Sequence, residues 1–283
     1  MFTLKIQNTN GEIWELTHNS PNYHVTGVQG LTPPPTAVNT ATAGTIDGTF
    51  FNSARVEQRN IVITVVPNGD IETNRQLLYK MFPRKTKCTI YFKNKNRDVK
   101  IDGYVETLES DLFTMREQVQ ISIICPRPYF EALTTIYDEL SKIATLFEFP
   151  FDIETPIPFS EVLDYPLATI DNTGDAVCGT QIELDFSGSI TNIKISNTAT
   201  QQFFEIDYQF QANDRVIINT KSGSMGVDLL RGGVHTNLLN YVAKNSNWLK
   251  IAPGINNFTL TLTTGNADDV KIHFTTSLLY GGV

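Results

Sequence analysis

Two prolines one residue apart, Pro126 and Pro128, follow directly on a strand-patterned segment and fix where one sheet of this chain must end. In the stretch from Arg97 to Phe130, RDVKIDGYVETLESDLFTMREQVQISIICPRPYF, Val99, Ile101, Gly103 and Val105 alternate with Lys100, Asp102, Tyr104 and Glu106. Val119, Ile121, Ile123 and Cys125 alternate in the same way with Gln118, Gln120, Ser122 and Ile124. A period of two sends successive side chains to opposite faces, so the stretch predicts a hairpin whose two faces differ. Each proline lacks an N–H and holds its own φ, so the ladder cannot run past Cys125 and the chain leaves the sheet in a set direction. Composition changes at this proline clasp, and a domain boundary is expected there.

The length of 283 residues exceeds what one compact core usually holds and favours two domains. The hydrophobic content of 41% and charged content of 18% are those of a globular protein. No window approaches the ~20 uninterrupted apolar residues of a membrane helix, so no membrane partner is expected. The start, MFTLKIQNTNGEIW, alternates like a strand and has no basic region before a long apolar run; a secretory signal is not expected, and folding in a cytoplasm is. Cys88, Cys125 and Cys178 are odd in number and widely spaced, which predicts free, mostly buried thiols and neither a disulfide framework nor a zinc site.

The net charge of −8 is unevenly spread. Through Arg127 there are 14 Lys and Arg against 12 Asp and Glu; from Glu131 onward there are 8 against 18. Phosphate binding needs clustered cations, so the acidic second half disfavours a nucleic-acid surface there, and no nucleic-acid partner is expected. The first half is only mildly basic. Its one cluster, Arg84, Lys85, Lys87, Lys93, Lys95 and Arg97, reads first as a solvated strand edge guarded by lysines and only second as a phosphate patch.

Residues 2 to 16 predict a hairpin turning at Asn10 and Gly11, with Trp14 on a core face. Residues 17 to 60 are different. They hold Gly27, Gly30, Pro33 to Pro35 and a Thr, Ala, Asn and Gly run through Gly48, with little apolar periodicity. A structureless segment of that length is a functional loop, a disordered one, or an arm that orders against a neighbouring subunit; the arm is favoured. Asn60 to Val66 returns to a strand. Pro67, Asn68 and Gly69 form a turn, and Asp70 is placed to N-cap a helix that runs to Phe82 and stops at Pro83. Leu77, Leu78 and Met81 supply its apolar stripe, with Arg75 and Lys80 on the wet side. Cys88 to Lys93 is a further strand.

Past the clasp, Leu133, Ile136, Tyr137, Leu140, Ile143 and Ala144 recur at helical spacing and predict a short linking helix over 132–146. Phe147, Phe149 and Phe151 alternate around Pro150, as in an edge strand or an extended segment. From residue 168 the runs ATIDN, TQIELDF, ITNIKISN, QFFEIDYQF, DRVIINT, NWLKIA, NFTLTLT and VKIHFTT are separated by Gly, Asn and Asp turns. Their spacing of roughly 8 to 12 residues predicts an antiparallel sandwich.

Chemistry is sparse. There is no Gly-rich phosphate loop, no GxSxG elbow and no HExxH helix, and Gly223 to Gly226 lacks a strand–turn–helix setting. His18, His24, His235 and His273 are scattered, with no second ligand at metal-binding spacing. Glu106, Glu109 and Asp111 crowd one hairpin but read as solvated turn carboxylates. Asp171 to Asp175, DNTGD, reads as a turn before it reads as a calcium loop. Trp248, near Pro253 and Gly254, reads as a core residue before a sugar-stacking platform. No catalytic, cofactor-binding or metal site is expected, no cofactor, and no enzymatic activity.

The series Asp47–Gly48, RNIVI (Arg59 to Ile63), DGYVE (Asp102 to Glu106), the CPRPYF clasp, LFEFPF, DNTGDAVCG (Asp171 to Gly179), INTKSG (Ile218 to Gly223) and NWLKIAPGIN (Asn247 to Asn256), in this order, resembles the distal tail (Dit) proteins of long, non-contractile phage tails. Where that family often has Cys-Pro-Asp-Pro, this chain places Arg127 between the prolines. The resemblance implies a mostly β protein. An N-terminal split-barrel, tail-tube-like domain with one helix (1–130, its extended arm at about 17–60) would be followed by a linker (131–167) and a C-terminal galectin-like antiparallel β-sandwich (168–283). It implies a structural virion protein of the tail tip, assembled in the bacterial host cytoplasm. Its copies would form a hexameric ring that meets the tail-tube protein, the tail tip (tail-associated) protein and receptor-binding proteins. Two alternatives remain: a carbohydrate-binding adhesin module of a phage tail tip, and a tail-tube subunit.

Overall fold

The computed structural model describes residues 2–17, 20–42, 44, 47–114, 116–140 and 165–283. Its chain divides by contacts into two units, one of residues 1–134 together with 279–283, the other of residues 135–278. Among the described residues the chain is mostly antiparallel strand with one α-helix.

The first unit begins with the hairpin Thr3–Asn8 (β1) and Ile13–Glu15 (β2), in which Ile6 faces Trp14 and Gly11 takes a positive φ in the turn. Then come Tyr23–Gln29 (β3), Thr36–Ala41 (β4), Phe50–Val56 (β5) and Arg59–Pro67 (β6). The helix Ile71–Met81 (α1) follows, and after it Lys87–Lys93 (β7), Asp98–Ser110 (β8), Val119–Cys125 (β9) and Phe130–Leu140 (β10). The strands pair in the order β2-β1-β7-β8-β9-β6-β3 and do not close on themselves. The first half of β8 pairs with β7 and its second half with β9, so one long strand joins two hairpins. Gly103 is required in that strand: a Cβ there would meet Ile123 Cγ2 at 2.5 Å and Cys125 Sγ at 2.9 Å. Alternation puts Ile61, Ile63 and Val65 of β6, Val99, Ile101 and Val105 of β8 and Val119, Ile121 and Ile123 of β9 into one buried core.

The helix starts and stops as its sequence dictates. Asp70 accepts from the Thr73 N–H at 3.2 Å and from its hydroxyl at 2.7 Å, filling a donor that the first turn leaves open. Those bonds hold the Asp70 carboxyl below its ordinary pKa. Phe82 closes the last turn on the Leu78 carbonyl at 3.0 Å, and Pro83 follows. Leu78 and Met81 are buried, whereas Leu77 is exposed and Asn74 takes the remaining inward place. Arg75 is not on the wet side: it pairs with Glu117 of the β8–β9 connection.

The second unit holds Tyr165–Asn172 (β11), Cys178–Phe186 (β12), Ile190–Asn197 (β13), Gln202–Phe210 (β14), Arg215–Asn219 (β15), Gly226–Arg231 (β16), Val234–Asn237 (β17), Lys250–Ile251 (β18), Gly254–Thr264 (β19) and Val270–Tyr280 (β20). One sheet runs β17-β16-β15-β12-β20, with β18 also on β12, and the other runs β11-β19-β13-β14. Their inner faces meet through Phe258 on Phe274 (ring centroids 4.8 Å apart) and Phe186 on Phe210 (4.5 Å). Each of the eight runs expected after residue 168 contains a strand, in NWLKIA only at Lys250–Ile251; β16 and β17 are additional.

Two local expectations are corrected. Residues 130–140 are strand β10 rather than the start of a helix over 132–146, whose remainder lies outside the described residues. The apolar spacing there coincides with a helical period, but Phe130 and Ala132 are buried and alternate with Glu131 and Leu133. The ladder pairing Glu131 with Lys100 and Ala132 with Val99 decides the outcome. Second, β7 is not an edge strand, because it lies between β1 and β8. Its lysines pair instead with carboxylates of β8, Lys87 with Asp102 at 2.8 Å and Lys93 with Asp98 at 2.6 Å. The Phe147 to Phe151 run lies outside the described residues.

Candidate subunit interface

Of residues 17–60, expected to be one extended arm, Tyr23–Gln29 is instead strand β3 of the main sheet, with Tyr23 and Val25 in its core; the part beyond it contains a hairpin with no core of its own. β4 and β5 form a separate two-stranded sheet, with Val38 opposite Ala54 and Ala41 opposite Phe50 and a bulge opposite the Asn39–Thr40 step. Apart from Ala37 and Val56, every residue of these two strands is exposed. Val38 is 57% exposed, Phe50 56% and Phe51 67%, which is unusual for residues of this kind lying together on one hairpin. An isolated two-stranded hairpin is marginal in water, so this one needs a surface to lie on.

The base of the arm, in contrast, is tightly held. Period-two alternation along β6 puts Arg59 on the same inward face as Ile61, Ile63 and Val65, and it is 1% exposed. A guanidinium buried there must have its donors met. Its Nε donates to the Pro128 carbonyl at 2.8 Å, and Nη1 donates to the Thr32 carbonyl at 2.7 Å and to that of Gly30. Nη2 donates to the Gly281 carbonyl, and the guanidinium lies 4.4 Å from the centroid of the Phe130 ring. One side chain therefore joins the arm's entry, the proline clasp and the end of the chain. Its partners are carbonyls, not a carboxylate, and burial lowers its pKa from the ordinary arginine value while the Cys125 thiol opposes that change.

Two further features fix the same place. Gly30 has φ of +81°, and a Cβ on it would lie 2.0 Å from the Asn60 carbonyl oxygen, so the backbones pass too closely for any side chain. The Glu57 N–H donates to the Pro35 carbonyl at 2.9 Å, closing the neck below the hairpin. The last residues return to this base: the Val283 N–H donates to the Leu31 carbonyl at 3.1 Å, Arg97 donates to the Gly282 carbonyl, and its guanidinium lies 4.3 Å from the Tyr280 ring centroid. Tyr280 and Val283 pack on the first unit's core. Sequence reasoning missed the roles of Arg59 and of residues 279–283. The signal available for the first was an arginine at an inward position of a β run.

The other residues singled out in the sequence do not assemble into a site. Among the described residues no group of three His, Cys, Asp or Glu is placed to hold a metal ion. Glu106 accepts from the Ser122 hydroxyl at 3.0 Å. In the DNTGD turn Asn172 is buried; its amide donates to the Ala176 and Ile251 carbonyls at 3.1 and 3.0 Å, and its oxygen accepts from the Gly174 N–H. That makes the run a side-chain-braced turn. Trp248 packs against buried Phe204 at 5.2 Å between centroids. Asn197 and Asn256, both fully buried, bond to one another at 3.0 Å and bind the chain around β18, which explains the asparagine that ends the NWLKIAPGIN run. The three cysteines are free and buried, and burial pushes the thiols up to about 12 for Cys88 and Cys125 and about 11 for Cys178.

Residues 173–277 match the family described as siphovirus-type tail component, C-terminal domain. The fold is similar to that of the phage SPP1 Dit protein (gp 19.1), described as a paradigm of the hub adsorption apparatus in phages infecting Gram-positive hosts. The TM-score is 0.69 with 16% identity, over 99% of each chain. A chain of the phage P2 baseplate in its activated conformation with Ca is similar with a TM-score of 0.50 and 13% identity over 98% of each chain. No curated protein sequence matches the chain.

Proposed function

We propose that this chain is a siphovirus distal tail protein, a structural component of the tail tip assembled in the host cytoplasm. Copies of the first unit close into a hexameric ring between the tail tube and the tip protein, and the second unit faces receptor-binding proteins. The observation that carries the reading is the exposed β4–β5 hairpin on a rigid base, in a chain whose residues 173–277 match a tail-component domain. The likeness to SPP1 Dit over nearly the full length supports it. A contact from the arm of one copy to the body of the next is head-to-tail, and such contacts generate a ring when the rotation closes. The role is one of connection and not of catalysis.

The purified protein tests this directly. Light scattering should give six times the chain mass of 31.7 kDa, and electron microscopy should show closed rings. A monomer at all concentrations, or open tubes of indefinite length, would sink the ring reading, the latter in favour of a tail-tube subunit.

A further inference from the structure

The first unit carries an apolar groove that its own chain leaves open. A cavity of about 410 Å³ lies along β3, lined by Phe2, Val25, Val28, Leu31 and Phe92 together with the more polar His24 and Thr26. Val25 and Phe92 belong to the buried core, and Phe2, Val28 and Leu31 pack on it, so here the core reaches the surface. Phe2 and Phe92 are stacked, 5.8 Å between centroids and 12° between planes. Among the described residues β3 has a single strand neighbour, β6, and a bulge interrupts that ladder between Val25 and Gly27. An unpaired strand edge beside an apolar cavity is a template for an added strand.

The same chain presents a complementary element, its β4–β5 arm. Val38, Phe50 and Phe51 are exposed on it, and the remaining side chains are small or polar apart from Arg55. β3, YHVTGVQ, carries no Asp, Glu, Lys or Arg. Pairing the two strands would bury no carboxylate and leave no charge pair to be desolvated. Both surfaces are extended, and the arm carries its two rings together at the turn end of β5, where they can enter an apolar groove.

We infer that the arm of one copy lies along β3 of a second copy, with Phe51 seated in the groove lined by Val25, Val28, Leu31 and Phe92. This rests on the ring reading above and names the surface that receives the arm. Each copy then uses its arm once and its groove once, as a head-to-tail contact requires. Aromatic anchors seated in apolar pockets carry most of the binding energy at such contacts.

The test uses the full chain with Phe51→p-benzoylphenylalanine, in which the photoreactive ring replaces an exposed one. Isotope-labelled and unlabelled copies are assembled together, irradiated and digested. Mixed-label peptides joining residue 51 to residues 23–31 or to Phe92 are expected. Oligomers whose cross-links fall elsewhere, or only within one copy, overturn the groove assignment and leave the ring reading standing; a protein that stays monomeric removes both. A second variant, Thr26→Arg, puts a charge at an exposed position of the groove lining. It should weaken assembly about ten-fold or more relative to Thr26→Val, which loses the same hydroxyl bond to the Thr64 carbonyl without adding a charge. Unaltered assembly of that variant also overturns the inference.

Discussion

Arg59 Nε lies 2.8 Å from the Pro128 carbonyl oxygen, so the residue that holds the entry of the arm also holds the proline clasp that ends β9. The same guanidinium donates to Thr32 and to Gly281. Its planar fork serves several carbonyls in fixed directions, and a lysine ammonium, a single point on a flexible stem, cannot reproduce that. Arg59→Lys should therefore destabilise the first unit by about 3 kcal/mol, through carbonyls left without donors in a buried site. Urea unfolding followed by Trp14 fluorescence measures this; Trp248 reports the second unit and should not move. Removing Gly281 to Val283 should act in the same direction, because it deletes two of the carbonyls that Arg59 and Arg97 hold.

Gly30 is a second point where the arm's base tolerates no change. Gly30→Ala places a methyl group 2.0 Å from the Asn60 carbonyl oxygen at a backbone conformation with φ of +81°. Both effects destabilise, and the clash is with backbone, which cannot rotate away. The expected loss is about 2 to 4 kcal/mol. Hydrogen exchange should show faster exchange of the Val283 and Glu57 amides, which bond to the neck. Unchanged exchange would mean that the base is not the rigid element described.

In the second unit, Asp214 is the acid-sensitive group. It is 2% exposed and accepts from Arg231 at 2.7 Å and 2.6 Å and from the Gln211 N–H at 2.8 Å. Burial raises its pKa, but the bonds from Arg231 and Gln211 outweigh that and hold it below the ordinary value. A depressed folded-state value means the stabilisation is full above the unfolded value of about 3.9 and is lost as pH falls through the lower folded value. Stability of this unit should be level between about pH 5 and 7 and decline below about pH 4. Arg231 is partly exposed, so Asp214→Asn should cost about 1 to 2 kcal/mol at pH 7 and flatten part of the acid decline. Urea midpoints by Trp248 fluorescence at about pH 7 and about pH 3, on either side of the decline, compare the two proteins.

The legible parts of the fold were those fixed locally. Asp70 and Pro83 bound the helix because a cap acceptor and a missing donor act within one turn. The alternation of Val119 to Cys125 predicted β9 because one face is buried. Leu133, Ile136, Tyr137 and Leu140 misled, since only the ladder to β8, a contact distant in sequence, decides between the two periods. Arg75 and Lys87 read as solvated cations because their partners, Glu117 and Asp102, stand far along the chain. The candidate interface was half legible: the low apolar periodicity of residues 17–60 pointed to an arm, but the buried strand Tyr23–Gln29 within it, the β4–β5 pairing and the anchor at Arg59 did not show. The return of residues 279–283 to the first unit left no sign, because β20 reads as one more strand of the sandwich.

Deleting residues 33–48 separates assembly from folding. The deletion removes β4 and the turn and leaves Phe50 to Val56 without a strand partner, so the hairpin cannot form. The core of the first unit is spared, because none of the described residues within 33–48 belongs to it, and the second unit lies wholly outside the deletion. The truncated protein should be monomeric by light scattering and show an unchanged Trp248 unfolding transition. A milder version, Phe50→Ser with Phe51→Ser, keeps the hairpin register and removes the two exposed rings. Each ring buried at a contact contributes about 1.5 to 3 kcal/mol, so losing both should weaken each arm contact by two orders of magnitude or more. A closed ring repeats that contact at every interface, so the loss multiplies around it and the assembled form should vanish at micromolar concentration. A deletion variant that remained hexameric would show that the arm is not what joins the copies.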